Sequence, residues 1–320
     1  MRRWTALLFA ACVGGAAHAQ GAFPGKPIRL VVTSPPGGAN DTLNRALAAK
    51  VTEYLGQPIV LDNRPGASGF VAAEIVAKAP ADGYTLLAGT EATLVTNPLL
   101  FARTPYNTQR DFAPIMMTAA VSHVLLVHPS LPASTVPELI ALAKARPGQL
   151  NYASSGSGSA FHLGMELFKH MAGVDIVHVP FKGSALSVAA MLSGDVQMML
   201  IGTATGMPLA RSGKARALAM AGAKRSPAAP EVPTIAESGL PGYEISSWFG
   251  TVAPAATPAA AVAKLHGAFA RALQSPDLRD RLTPYGYEVI ANTPAQFARH
   301  MRSQTDRLSR IIREAGIKPE

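Results

Sequence analysis

Two stretches of the same kind set the limits on this fold. Pro27 to Thr33 reads as a buried strand, carrying Ile28, Leu30, Val31 and Val32. It runs into Ser34-Pro35-Pro36-Gly37-Gly38-Ala39-Asn40-Asp41, and then into a helix with apolar residues at Leu43, Leu47, Val51, Tyr54 and Leu55. Leu150 to Gly164 repeats the pattern: a short strand, the small-residue run Ser154-Ser155-Gly156-Ser157-Gly158-Ser159, and a helix to about Met171. Glycines let a backbone approach a ligand closely. The first N–H groups of a helix are unpaired and its dipole favours negative charge there. Each stretch therefore fits a carboxylate or phosphate site. Each also fits a plain capped turn, with Ser159 as N-cap in the second and Asp41 in the first helical turn of the first.

Between and after these stretches, short strands alternate with helices of about ten residues. Strands are read at 57–61, 84–88, 121–127, 175–179, 196–200, 215–221 and 247–254, and helices at 70–79, 136–145 and 184–192. This order implies right-handed βαβ units and parallel sheets. In such sheets ligands gather beyond the carboxyl ends of strands. Thr90 and Glu91 lie at one such end, Lys182 and Gly183 at another. Lys182 is placed either to face the same cleft as the serine–glycine run or to stand in solvent. The chain closes on helices at 258–273, 277–282 and 294–315; in the last, Phe297, Met301, Leu308, Ile311 and Ala315 form an apolar face and Arg299, Arg302, Arg310 and Arg313 point outward. Two groups of βα units, each with a glycine-rich strand end, imply two similar α/β lobes with a cleft between them.

The start of the chain reads as an export signal. Arg2 and Arg3 precede an apolar run from Trp4 to Ala17 that is short for a membrane span, and Ala17-His18-Ala19 is a small-residue cleavage site. Cleavage after Ala19 is expected, with a periplasmic destination. Cys12 is the single cysteine, so the mature chain excludes disulfides, thiol catalysis and cysteine-held metal. The net charge is +9, without a dense Lys/Arg block or basic–aromatic interleaving, which argues against nucleic acid. A mild positive field still attracts small anions.

Catalytic signatures are lacking. The chain has no Walker loop, and Gly156-Ser157-Gly158-Ser159-Ala160-Phe161 lacks the third glycine of a dinucleotide fingerprint. No G-x-S-x-G elbow and no H-E-x-x-H occurs. Neither a cofactor nor a metal nor a catalytic residue is expected, and binding without turnover is the simpler account. The rival reading is an exported esterase using Ser157 or Ser159 with His162.

Several short motifs, taken in order, carry a resemblance. They are Pro27-Ile28-Arg29-Leu30-Val31-Val32 with Pro35-Pro36-Gly37-Gly38 and Asp41; Asp62-Asn63-Arg64-Pro65-Gly66-Ala67; Asp82-Gly83-Tyr84-Thr85-Leu86-Leu87; Leu150-Asn151-Tyr152-Ala153-Ser154-Ser155-Gly156; His178-Val179-Pro180-Phe181-Lys182-Gly183; Val232-Pro233-Thr234-Ile235-Ala236-Glu237; and Trp248-Phe249-Gly250 with Ala253-Pro254. Together the chain resembles the Bug or TctC-type substrate-binding proteins of tripartite tricarboxylate transporters, over nearly its whole mature length. The resemblance implies a two-lobed α/β periplasmic-binding-protein fold of type II kind that closes on its ligand. It implies a leader at 1–19, lobe 1 from 20–122 plus 248–320, and lobe 2 from 123–247. It implies a monomer that binds a small organic carboxylate and hands it to integral-membrane permease subunits; a receptor serving a sensor is the other possible use. The ligand residues it implies are Pro36, Gly37, Gly38 and Asp41; Thr90 and Glu91; Ser154, Gly156, Ser157, Gly158 and Ser159; and Lys182 and Gly183. Glu91 stands where the family often has small or polar residues. It would repel a second carboxylate, pair with an amine on the ligand, or point away. Ile201 and Gly202 stand where the family often carries an acid. Both departures bear against a simple citrate-like ligand.

Overall fold

The computed structural model of the chain describes residues 23–314 and 316–317. The export signal, its cleavage site and Ala315 lie outside the described residues. The elements run β1 (Ile28–Val32), α1 (Ala39–Leu55), β2 (Ile59–Asn63), α2 (Phe70–Ala77), β3 (Thr85–Thr90), a wide turn of π-helix at Ala92–Thr96, α3 (Asn97–Leu100), α4 (Thr108–Asp111) and β4 (Phe112–Val127). They continue as α5 (Val136–Ala145), β5 (Asn151–Ser154), α6 (Ala160–Ala172), β6 (Val177–Pro180), α7 (Ser184–Ser193), β7 (Met198–Gly202), α8 (Thr203–Arg211) and β8 (Arg216–Met220). The chain ends with β9 (Ser246–Pro254), α9 (Ala259–Gln274), α10 (Pro276–Leu282), β10 (Tyr287–Val289) and α11 (Pro294–Glu314). Among the described residues no helix is long and apolar enough to cross a membrane.

The strands lie in the order β2-β1-β3-β9-β4-β7-β5-β6, with β8 and β10 also paired to β4. The parallel pairing expected from βαβ units holds within two groups: β1 with β2 and β3, and β5 with β6 and β7. The centre departs from it. There β9 pairs antiparallel with both β3 and β4, and β4 pairs antiparallel with β7. The two central strands thus join two parallel groups that are far apart in sequence. Their pairing changes partner abruptly. Ser122 of β4 opposes Ser246 of β9, and the next residue, His123, opposes Gly202 of β7.

The length of β4 corrects the shorter strand expected at 121–127. Its first half, Phe112 to Ala120, contains Pro114 and three alanines, which weaken a strand reading. The strand accommodates the proline by slipping register against β9 between Pro114 and Met116. A bulge is where a residue that cannot donate to the ladder is tolerated.

Packing follows the apolar periodicity. Ile28, Leu30 and Val32 of β1 meet Leu43, Leu47 and Val51 of α1 and Leu265 and Phe269 of α9 in one core. Met191, Met199, Met220 and Val232 form a smaller core beside β7 and β8. A large shared core includes Tyr152, Phe168, Trp248 and Phe297. In α11, Phe297, Met301, Leu308 and Ile311 are buried and Arg299, Arg302, Arg310 and Arg313 are exposed, as the helical spacing requires.

Candidate functional site

The serine–glycine run leads from β5 into α6, and the chain's own hydrogen bonds define what it can still offer. Ser159 is the N-cap: its hydroxyl accepts from His162 N at 3.3 Å. Gly158 sits at φ +74°, a conformation that side-chain-bearing residues rarely adopt, and its N–H donates to His162 Nδ1 at 2.9 Å. The N–H groups of Ala160 and Phe161, the first two of the 13-residue helix α6, have no partner among the described residues. Unpaired donors at the positive end of a helix are an anion site in waiting.

An aromatic stack supports this turn from behind. The His162 and His178 rings stack with centroids 4.0 Å apart, and Tyr152 stacks on His178 at 4.9 Å. Tyr152 donates to Glu166, which also accepts from Lys169 Nζ at 2.8 Å. Burial lowers the His178 pKa to about 4 and also lowers that of His162, so both rings are neutral at pH 7. Neutrality is what lets His162 Nδ1 accept the Gly158 N–H. The ring is a brace for the loop, and its Nδ1 bonds to backbone, not to Ser157 or Ser159. The serine–histidine geometry expected of the esterase reading is not formed.

The facing wall comes from the end of β3 and the turn after it. Two adjoining cavities, of about 320 Å³ and about 310 Å³, share Ala92, Ser155, Gly158 and Ser159 as lining. The first is completed by Ser68, Asn97, Leu100, Phe101, Gly156, Ser157 and Ile317. The second is completed by Thr90, Glu91, Ala160, Phe161 and the β9 residues Ser247, Trp248 and Phe249. The walls come close: a Cβ added at Gly158 would lie 2.5 Å from Leu100 Cδ1. Glu91 is only 7% exposed. Burial pushes its carboxyl up to about 7, opposed by the hydroxyl of Thr96, which donates to Oε1.

The expected residues divide into two sets. Thr90, Glu91, Gly156, Ser157, Gly158 and Ser159 line the paired cavities. Pro36, Gly37, Gly38, Lys182 and Gly183 line neither. Pro36 and Gly37 are exposed just before α1. Lys182 is exposed, without an ion pair among the described residues, and Gly183 N–H donates to Ser155 O at 3.2 Å.

At two of the expected positions the side chain is engaged within the protein. Ser154 is fully buried, its hydroxyl held between His178 Nε2 at 2.7 Å and Gly156 O at 3.1 Å. Asp41 is 1% exposed and its carboxylate is already engaged by Gly37 N, Asn63 Nδ2 and Arg45 Nε at 2.7–2.9 Å. Burial would raise its pKa, but those three donors outweigh it and hold the carboxyl below the ordinary aspartate range. Both side chains are spent mainly on partners inside the protein, and each shapes its loop. Ile201 is likewise buried in the core, and neither it nor Gly202 lines the paired cavities.

Ser68, Ala92, Asn97 and Ser247 were not foreseen as lining. Asn97 Nδ2 donates to Ser68 O at 2.6 Å, so the turn before α2 and the turn after β3 form one wall. A turn of π-helix has no sequence signature comparable to a glycine loop, and this part of the wall had no local signal. A further cavity of about 210 Å³ beside β10 includes Arg279, but its Nε is spent on Leu273 O.

Two groups of parallel strands joined by β4 and β9, with a ligand-sized cleft at their strand ends, define a two-lobed periplasmic binding protein. Residues 43–317 match the tripartite tricarboxylate transporter family receptor, TctC, and the chain belongs to that family. The family is one of solute receptors that work in the periplasm. BugT of Bordetella pertussis is 36% identical over 297 residues, covering 92% of this chain and 91% of BugT. Rpa4515 of R. palustris, solved with adipate, has a TM-score of 0.79 at 40% identity and covers 93% of this chain and 100% of its own. MatC of Rhodopseudomonas palustris, with bound malate, has a TM-score of 0.73 at 33% identity and covers 91% of this chain and 100% of its own. The resemblance carried by the short motifs is thereby borne out for family and fold.

Proposed function

We propose that the chain is an exported receptor that binds a small organic carboxylate in the cleft lined by Thr90, Glu91, Ser155 and Gly156–Ser159, and delivers it to the membrane permease of a tripartite transporter. The observation that carries this reading is the pair of unpaired N–H groups at Ala160 and Phe161, on residues lining a cavity whose opposite wall is the end of β3. A carboxylate there gains charge-assisted hydrogen bonds inside a partly dry cleft. The adipate and malate bound by two similar proteins support a carboxylate ligand.

In this reading the leader is removed after Ala19 and the mature protein acts as a monomer. Lobe 1 is 20–122 plus 248–320 and lobe 2 is 123–247. The change of partner at Ser122 and His123 supports a hinge in β4, with β9 as the second crossing. Ligand favours the closed state because only there do both walls touch it. The bond from Gly158 N–H to His162 Nδ1 favours binding over ester hydrolysis.

A thermal-shift screen of mono-, di- and tricarboxylates tests this. At a hundredfold excess over Kd a true ligand adds about 2.7 kcal/mol. At about 2–4 °C per kcal/mol, that raises Tm by roughly 5–10 °C. The reading fails if no carboxylate moves Tm, or if model esters are turned over and Ser157→Ala or Ser159→Ala abolishes that turnover.

A further inference from the structure

Glu91 is an unusual group to find in a carboxylate-binding cleft. Its Oε1 accepts from Thr96, its Oε2 has no partner among the described residues, and the side chain is 7% exposed. Among the described residues it is the only titratable side chain lining either cavity. The ionisable groups packed behind the lining do not neutralise it. His123, edge-on to Phe161, bonds Ser247 and is kept uncharged by burial, which lowers its pKa to about 4. His162 accepts from Gly158, and burial likewise lowers His300, which packs on Trp248. A buried carboxylate without a cation is costly unless it is protonated or a partner brings the charge. The same cavity holds the unpaired Ala160 and Phe161 N–H groups, which call for an anion. One occupant satisfies both ends if it carries both charges.

Building on the receptor reading above, we propose that Glu91 sets specificity by binding a protonated amine, so that the ligand is an amine-bearing organic acid with its carboxylate at the start of α6. A second carboxylate at that end would face Glu91 and be repelled, which disfavours simple diacids.

The test is calorimetry on the mature chain with matched pairs, ω-amino acids against α,ω-diacids of three to six carbons, at pH 6 and pH 8. The wild type is expected to bind its best amino acid at least about tenfold tighter than the matching diacid at pH 8, a cautious figure for a buried charge pair. That preference should narrow at pH 6, where Glu91 takes up a proton. Glu91→Gln, of unchanged size and still able to accept from Thr96, should lose the preference. A diacid preference in the wild type at pH 8 overturns the inference and leaves the receptor reading intact. So does an amino-acid preference that is unchanged in Glu91→Gln and between the two pH values. Failure of both series and of simple monocarboxylates to bind removes the receptor reading and this inference together. The pH comparison uses only wild-type protein, so poor folding of the variant leaves the test in force.

Discussion

Gly158→Val is expected to abolish carboxylate binding while leaving the protein folded. Gly158 holds φ +74°, where a β-branched residue is a genuine outlier, and its new Cβ would lie 2.5 Å from Leu100 Cδ1. The left-handed backbone costs about 1–2 kcal/mol. In a chain of this size that lowers Tm by roughly 2–8 °C, because each kcal/mol is worth about 2–4 °C. The larger effect falls on the ligand. The branched side chain fills space shared by both cavities and pushes the Leu100 wall away from the start of α6. Losing two hydrogen bonds to a charged group, at about 1.5–3 kcal/mol each, weakens binding roughly a hundredfold to ten-thousandfold, since 1.4 kcal/mol is tenfold. Calorimetry with the best carboxylate reads this out. Wild-type affinity in a folded Gly158→Val protein would show that the serine–glycine loop is not part of the site.

The second large effect is on stability. Phe297 is fully buried in α11, packs edge-on against Trp248 at 5.5 Å, and lies over Gly250 so closely that a Cβ there would meet its ring at 2.2 Å. Gly250 therefore leaves a socket in β9 that the ring fills. Phe297→Ala empties it and is expected to cost about 3–5 kcal/mol. That corresponds to a Tm lower by roughly 6–20 °C. Ligand affinity should fall as well. Trp248 lines one cavity and Ile317, just past α11, lines the other, so a loosened α11 disturbs both. Chemical denaturation checks the first part; a loss under about 1 kcal/mol would mean that the site collapses around the missing ring.

Much of this was legible from local pattern. The strand–glycine–helix units appear because Gly37–Gly38 and Gly156–Gly158 interrupt apolar runs whose period changes from strand to helix. Ser159 was legible as a cap, and Phe297, Met301, Leu308 and Ile311 as one buried face, because these depend on neighbours three or four residues apart. The family was legible from the motif order. The less legible parts depend on contacts distant in sequence. Asp41 and Ser154 sit in the right loops, but partners 22 and 24 residues away, Asn63 and His178, take up their oxygens. Ser247 becomes lining only because β9 crosses between β3 and β4. The first half of β4 was hidden by Pro114, and β10 by its three-residue length.

The central claim is that a carboxylate sits at the start of α6 between two closing walls. A crystal structure of the mature chain with the best ligand from the thermal screen tests it most directly. The account predicts carboxylate oxygens about 2.7–3.2 Å from the backbone nitrogens of Ala160 and Phe161, with Thr90 and Glu91 on the other side of the ligand. An acid seated instead beside Arg279 and Tyr287, with the α6 donors facing only water, would contradict it.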